Sequence, residues 1–158
     1  MSKQTSKNEE TAFNRAARFL SYGSRSINEV KRYLSDKGFS DFQDTVIERL
    51  TNAGLLDDEC LVERWILQRA DLKSLGRIRI RVELLKKGID PQLINSKLDQ
   101  LYDPEMEKLR ALNAASKRIN QLKDLAPETV NRRIYSYLKN KGFEDSAIRE
   151  AIERISNP

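Results

Sequence analysis

Tyr33-Leu34-Ser35-Asp36-Lys37-Gly38-Phe39 spells the end of a helix, and the same ending returns as Leu84-Leu85-Lys86-Lys87-Gly88-Ile89 and Tyr137-Leu138-Lys139-Asn140-Lys141-Gly142-Phe143. Each copy reads Leu-x-x-Lys-Gly-apolar. Lys in the last turn faces the negative end of the helix dipole, Gly takes the left-handed conformation without a Cβ penalty, and the next apolar residue folds back onto the helix. The three glycines stand 50 and 54 residues apart, a spacing that reads as tandem units.

The flanks make the repeat specific. Before the stops, Val30/Leu34, Ile80/Leu84 and Ile134/Leu138 are four apart on one helical face. After them come Val46/Ile47/Leu50, Leu93/Ile94/Leu98 and Ala147/Ile148/Ile152, with two extra loop residues in the first copy. Start signals agree. Ser26 with Glu29 and Ser40 with Gln43 read as capping boxes, and Asp90-Pro91, Asp103-Pro104 and Ala126-Pro127 put Pro at the first helical position. A further helix precedes each stop, over about Thr11–Tyr22, Asp58–Leu72 and Pro104–Leu122. The segment Arg77-Ile78-Arg79-Ile80-Arg81-Val82 alternates like a strand. The repeat nevertheless makes it a helix with two apolar stripes, Ile80/Leu84 and Ile78/Val82/Leu85, as expected of a central unit packed on both sides.

The expected fold is all-α: three tandem three-helix units packed as a short, elongated array. A flexible N-terminus covers 1–10, the repeats cover 11–53, 54–102 and 103–155, and a flexible tail covers 156–158. Tyr102-Asp103-Pro104 reads as a joint.

Composition points away from catalysis. The 158 residues include no His, which removes the commonest general base and metal ligand, and Cys60 therefore has no imidazole to activate it. No phosphate-binding loop, dinucleotide fingerprint or paired-cysteine motif is present. Asp57-Asp58-Glu59, the one tight acidic cluster, reads as a helix cap with acids on the N-terminal dipole. No cofactor or metal is expected, and the protein is read as a non-enzyme. A lone Cys, a polar opening MSKQTSKNEETAF and the absence of a long apolar run imply a cytoplasmic chain that needs no membrane. No heptad seam suggests a dimer, so a monomer is expected.

What remains is charge. The chain carries a formal +5, but between Arg64 and Lys87 eight basic residues, Arg64, Arg69, Lys73, Arg77, Arg79, Arg81, Lys86 and Lys87, meet only Asp71 and Glu83. Five are Arg, suited to bidentate contact with phosphates or carboxylates. This tract is the candidate partner- or DNA-binding site. Trp65 could stack bases, but it shares a face with Leu61, Val62, Ile66 and Leu72 and reads as packing.

Taken in order, Gly54-Leu55-Leu56-Asp57-Asp58-Glu59, Trp65-Ile66, Gly76-Arg77-Ile78-Arg79-Ile80-Arg81-Val82-Glu83-Leu84 and Lys87-Gly88-Ile89 resemble the RecX family, bacterial regulators of the RecA recombinase. Arg25-Ser26, Glu29-Val30, Leu34 and Lys37-Gly38-Phe39 match its opening pattern, and the likeness covers about residues 13–101. Leu61 stands where the family usually carries an aromatic residue, and Arg77 where a Pro often follows the Gly. The resemblance implies a helical array lying in the groove of the RecA–DNA filament, limiting filament growth, ATP hydrolysis or strand exchange. Its partners would be that filament and, as a candidate, single- or double-stranded DNA. A stand-alone nucleic-acid-binding module and a purely structural adaptor stay open beside it.

Overall fold

A computed structural model describes residues 2–122 and 124–156. Among them the chain forms nine α-helices and no strand. They are α1 (Ser2–Ser21), α2 (Ile27–Asp36), α3 (Gln43–Asn52), α4 (Asp58–Asp71), α5 (Arg77–Lys86), α6 (Pro91–Leu101), α7 (Pro104–Ile119), α8 (Pro127–Asn140) and α9 (Asp145–Ser156). The alternating segment is helix α5. Two compact units result, one of residues 1–62 and 84–93, the other of 63–83 and 94–158.

Each stop forms as its sequence dictates. Gly38, Gly88 and Gly142 have φ of +79°, +74° and +80°. The amides of Phe39, Ile89 and Phe143 donate back to the carbonyls of Leu34, Leu84 and Leu138, closing the loop over the last turn. Prolines begin α6, α7 and α8, where the missing N–H costs nothing. Ser26 and Glu29 make the capping box of α2, and Asp57 accepts the Cys60 amide at the head of α4.

In the first unit, Ala12 and Ala16 of α1 pack against Val30 and Leu34 of α2, Val46 and Leu50 of α3, and Leu56. In the second, Ala111, Ala114 and Ala115 of α7 let Ile134, Leu138, Phe143 and Ile148 approach closely. Ile80 and Leu84 of α5 are fully buried.

Several details differ from expectation. α1 runs from Ser2 through the stretch expected as a flexible N-terminus, and Arg49 of α3 pairs with both Glu9 and Glu10. Asn157 and Pro158 of the expected tail lie outside the described residues. Ser40 and Gln43 make no capping box. Ser40–Phe42 is a 3-10 turn, and the Gln43 amide instead donates to the Lys31 carbonyl and the Ser35 hydroxyl. The joint at Tyr102 is pinned, because its buried ring lies under Arg110 and its hydroxyl donates to the Leu75 carbonyl. Finally, the second stripe of α5 is only partly packed: Leu85 is half-buried, but Ile78 is 44 % and Val82 37 % exposed. The Lys141–Phe143 loop meets the N-terminal backbone of α5 and leaves Ile78 and Val82 exposed.

Candidate interaction surface

The basic tract lies on α4, the Leu72–Gly76 turn and α5, with Lys87 just past the end of α5. The turn is tight: Ser74 takes a φ of +48°, the only positive value outside glycine among the described residues, and the Leu75 amide donates to the Arg69 carbonyl. The head of α5 is held by three foreign acceptors. The Gly76 and Ile78 amides donate to the carbonyls of Lys141 and Gly142, and the Arg77 amide donates to Glu107.

That frame divides the eight cations by role. Glu83 gathers three donors: its Oε2 accepts Arg69 Nε at 2.8 Å and Trp65 Nε1 at 3.1 Å, while its Oε1 lies 3.5 Å from Arg79 Nε. The Arg69 guanidinium also lies 4.1 Å from the centre of the Trp65 ring. Trp65 is thus clamped, neither a core residue nor an open stacking platform, and Leu72, expected on its face, is 77 % exposed. Arg77 pairs with Asp99 and Arg81 donates to Asn95, both on α6. Lys87, in the first unit, reaches both oxygens of Glu29 at 3.0 and 3.2 Å. Arg69, Arg77, Arg81 and Lys87 therefore act as struts.

Arg64, Lys73 and Lys86 are exposed and have no carboxylate partner among the described residues. Arg79, paired with Glu83 but with half its side chain in solvent, joins Arg64 and Lys73 as the solvent-facing cations of the tract in the second unit. Asp71 is taken by Arg110 at 2.7 Å, so both acids of the tract serve internal pairs. Ile78 and Val82, one turn apart on α5, set an apolar strip next to Arg79. The described residues hold no group of three His, Cys, Asp or Glu side chains fit for a metal ion, and Cys60 is exposed in the first turn of α4. This arrangement presents charge and apolar surface.

Two family models match the chain: RecX, first three-helix domain, over residues 12–50, and RecX, second three-helix domain, over 57–98. The second contains the whole tract. The regulatory protein RecX of Mycolicibacterium smegmatis is 33 % identical over 91 % of this chain and 79 % of its own length. That of Pelodictyon phaeoclathratiforme is also 33 % identical, over 98 % and 94 %. The chain belongs to the RecX family. The crystal structure of RecX from Lactobacillus salivarius superposes with a TM-score of 0.85, covering 96 % of this chain and 98 % of that one at 24 % identity, and shares the fold. The RecX relatives are named as regulatory proteins, and among this chain's described residues no helix is long and apolar enough to cross a membrane.

Reading the sequence alone overlooks the partners that turn cations into struts. Asp99, Asn95 and Glu29 lie 22, 14 and 58 residues from Arg77, Arg81 and Lys87. It also passes over Arg15, Arg18, Tyr22 and Lys37, which no local motif gathers and which the pairing of α1 with α2 brings to one cleft.

Proposed function

We propose that this RecX-family chain is a non-enzymatic regulator that docks on the RecA recombinase in its DNA filament and restrains filament growth, ATP hydrolysis and strand exchange. The observation that carries this reading is the outer face of α5. Ile78 and Val82 are exposed beside Arg79, with Arg64 and Lys73 also open on the same unit. An apolar strip next to solvent-facing cations suits a protein surface with apolar and acidic residues better than a bare phosphate backbone, which gives an apolar side chain nothing to bury against. Several modest contacts on linked helical segments would add through effective concentration.

The test is the ATPase of RecA on single-stranded DNA, with and without this protein. The wild-type chain should suppress hydrolysis. The Ile78→Ser/Val82→Ser variant should need about thirtyfold more protein for the same effect, since truncating apolar contacts of this size costs about 1 kcal/mol each. Arg64→Ala/Lys73→Ala/Arg79→Ala should weaken it by a similar factor, with a shallower salt dependence. Both sets spare the struts, so helicity should persist. Suppression unchanged in both variants would remove this face from the mechanism. Tight binding to DNA alone that these same variants abolish would favour a stand-alone nucleic-acid module.

A further inference from the structure

The first unit carries a second concentration of positive charge, built differently from the tract. Helices α1 and α2 meet through Phe19 and Tyr33, whose rings stack at 4.3 Å with 3° between their planes. Beside the stack opens a cleft of about 440 Å³ lined by Arg15, Arg18, Phe19, Tyr22, Tyr33 and Lys37. Every charged side chain in that lining is a cation.

These cations are also unspent. Elsewhere in the unit, Arg49 is held by Glu9 and Glu10, Lys31 by Asp44 and Lys87 by Glu29. Arg15, Arg18 and Lys37 have no carboxylate partner among the described residues. Arg15 lies 5.6 Å from the Phe39 ring, Lys37 lies 5.9 Å from the Tyr33 ring, and Arg18 Nε donates to the Tyr22 hydroxyl at 3.3 Å. The dipole of a helix C-terminus accounts for a cation in the last turn, as with Arg18, or just past it, as with Lys37. It does not account for Arg15, which lies further back in α1, nor for Tyr22, an aromatic residue 70 % exposed in the lining of the cleft. The adjoining hollow of about 300 Å³, lined by Phe19, Glu29, Arg32, Tyr33 and Asp36, contains two acids. An anion is therefore directed to the Arg15 side.

We propose that this cleft binds single-stranded nucleic acid, with a backbone phosphate among Arg15, Arg18 and Lys37 and a base stacked on Tyr22. The ring decides the class of ligand. A duplex keeps its base faces stacked on one another, so it could use the cations but would leave Tyr22 idle, whereas an unpaired strand offers a π-face next to each phosphate. An acidic protein segment would likewise gain little from the ring. The site lies apart in sequence from the α5 face and does not rest on recombinase binding.

The experiment measures fluorescence anisotropy of labelled oligo(dT) titrated with the full chain, without recombinase, across a salt series. Arg15→Ala/Lys37→Ala should weaken binding about tenfold or more and reduce the salt slope by about one to two. Tyr22→Ala should weaken it at least about fivefold while keeping the salt slope, and on an abasic strand of the same charge its effect should vanish. Arg132→Ala/Arg133→Ala, which removes two exposed cations of α8 outside both sites, should leave oligo(dT) binding unchanged, which separates this site from general surface charge. Wild-type affinity in either cleft variant, with circular dichroism showing the helices intact, would overturn the proposal. So would equal sensitivity of a duplex, or of polyglutamate, to Tyr22→Ala.

Discussion

Two stop loops of this chain dock on two helix N-termini in the same register but by different means. In the first unit the Gly88 stop meets the head of α2: the Ser26 hydroxyl donates to the Lys87 carbonyl and the Asn28 amide to the Gly88 carbonyl. In the second the Gly142 stop meets the head of α5, and there the Gly76 and Ile78 backbone amides donate to the Lys141 and Gly142 carbonyls. Ser26 and Gly76, and Asn28 and Ile78, are each 50 residues apart, matching the spacing of Gly38 and Gly88. Side chains span the first junction, while two backbones touch at the second. Replacing Ser by Gly at the helix head removes the side chain that would keep the loop away, and the polar groups then pair directly.

The three stop glycines turn this difference into a graded test. All need the left-handed conformation, but a Cβ at Gly142 would fall on the Arg79 backbone, one at Gly88 would meet the Asn28 Cβ at 2.7 Å, and one at Gly38 would meet nothing within 4 Å. Gly142→Ala should therefore be most damaging, at more than about 4 kcal/mol, because strain and a backbone collision add. Gly88→Ala should cost about 2–3 kcal/mol, since the Asn28 Cβ is fixed to α2 and the loop must draw back from it, at the loss of the Asn28 hydrogen bond. Gly38→Ala should cost about 1 kcal/mol, the conformational strain alone. Urea unfolding of the three variants checks the order, and equal losses would show that the junctions contribute nothing beyond the left-handed turn.

A smaller effect probes the side-chain junction itself. Asn28→Ala removes one hydrogen bond at an exposed position and should cost about 1 kcal/mol. In the background of Gly88→Ala that cost should largely disappear, because the collision with the Asn28 Cβ already pushes the loop off α2 and breaks the hydrogen bond. A double-mutant cycle measures this, and strict additivity would break the account.

What the sequence makes legible follows the range of the interaction. The Leu-x-x-Lys-Gly-apolar stops, the prolines at the heads of α6, α7 and α8, and the Ser26 capping box act within a few residues and form as read. Ser40 with Gln43 looks equally local but fails, because Lys31 and Ser35 of α2 offer the Gln43 amide better acceptors. The tract was legible as charge and not as surface. Whether Arg77 is a strut or a contact depends on Asp99, a helix away, and the exposure of Ile78 depends on where the Gly142 loop lands. The α1–α2 cleft is illegible for the same reason: Arg15, Tyr22 and Lys37 become neighbours only once Phe19 stacks on Tyr33.

The carboxylates behind the two helix heads extend the comparison to pH. At the first junction half-buried Asp58 accepts the Ile27 amide at 2.9 Å, and at the second buried Glu107 accepts the amides of Arg77 and Glu144 at 3.2 and 3.3 Å. Burial raises the pKa of both acids, and the backbone hydrogen bonds only partly oppose it. For Glu107 the folded value thus lies above its ordinary value near 4.5, so the folded state holds its proton more tightly than the unfolded chain does. Its contribution to stability is full below that ordinary value and declines as pH rises through the folded pKa. Glu107→Gln keeps an oxygen facing both amides but cannot ionise. Relative to wild type, the Gln variant should therefore gain stability as pH climbs from the acid range toward neutrality, and the gain should level off once Glu107 is fully ionised. Urea unfolding of both proteins across that range tests the sign. Parallel curves would mean that the two amides compensate Glu107 for its burial, whereas a Gln variant that falls behind as pH rises would mean that the ionised carboxylate is the favoured partner of the α5 head.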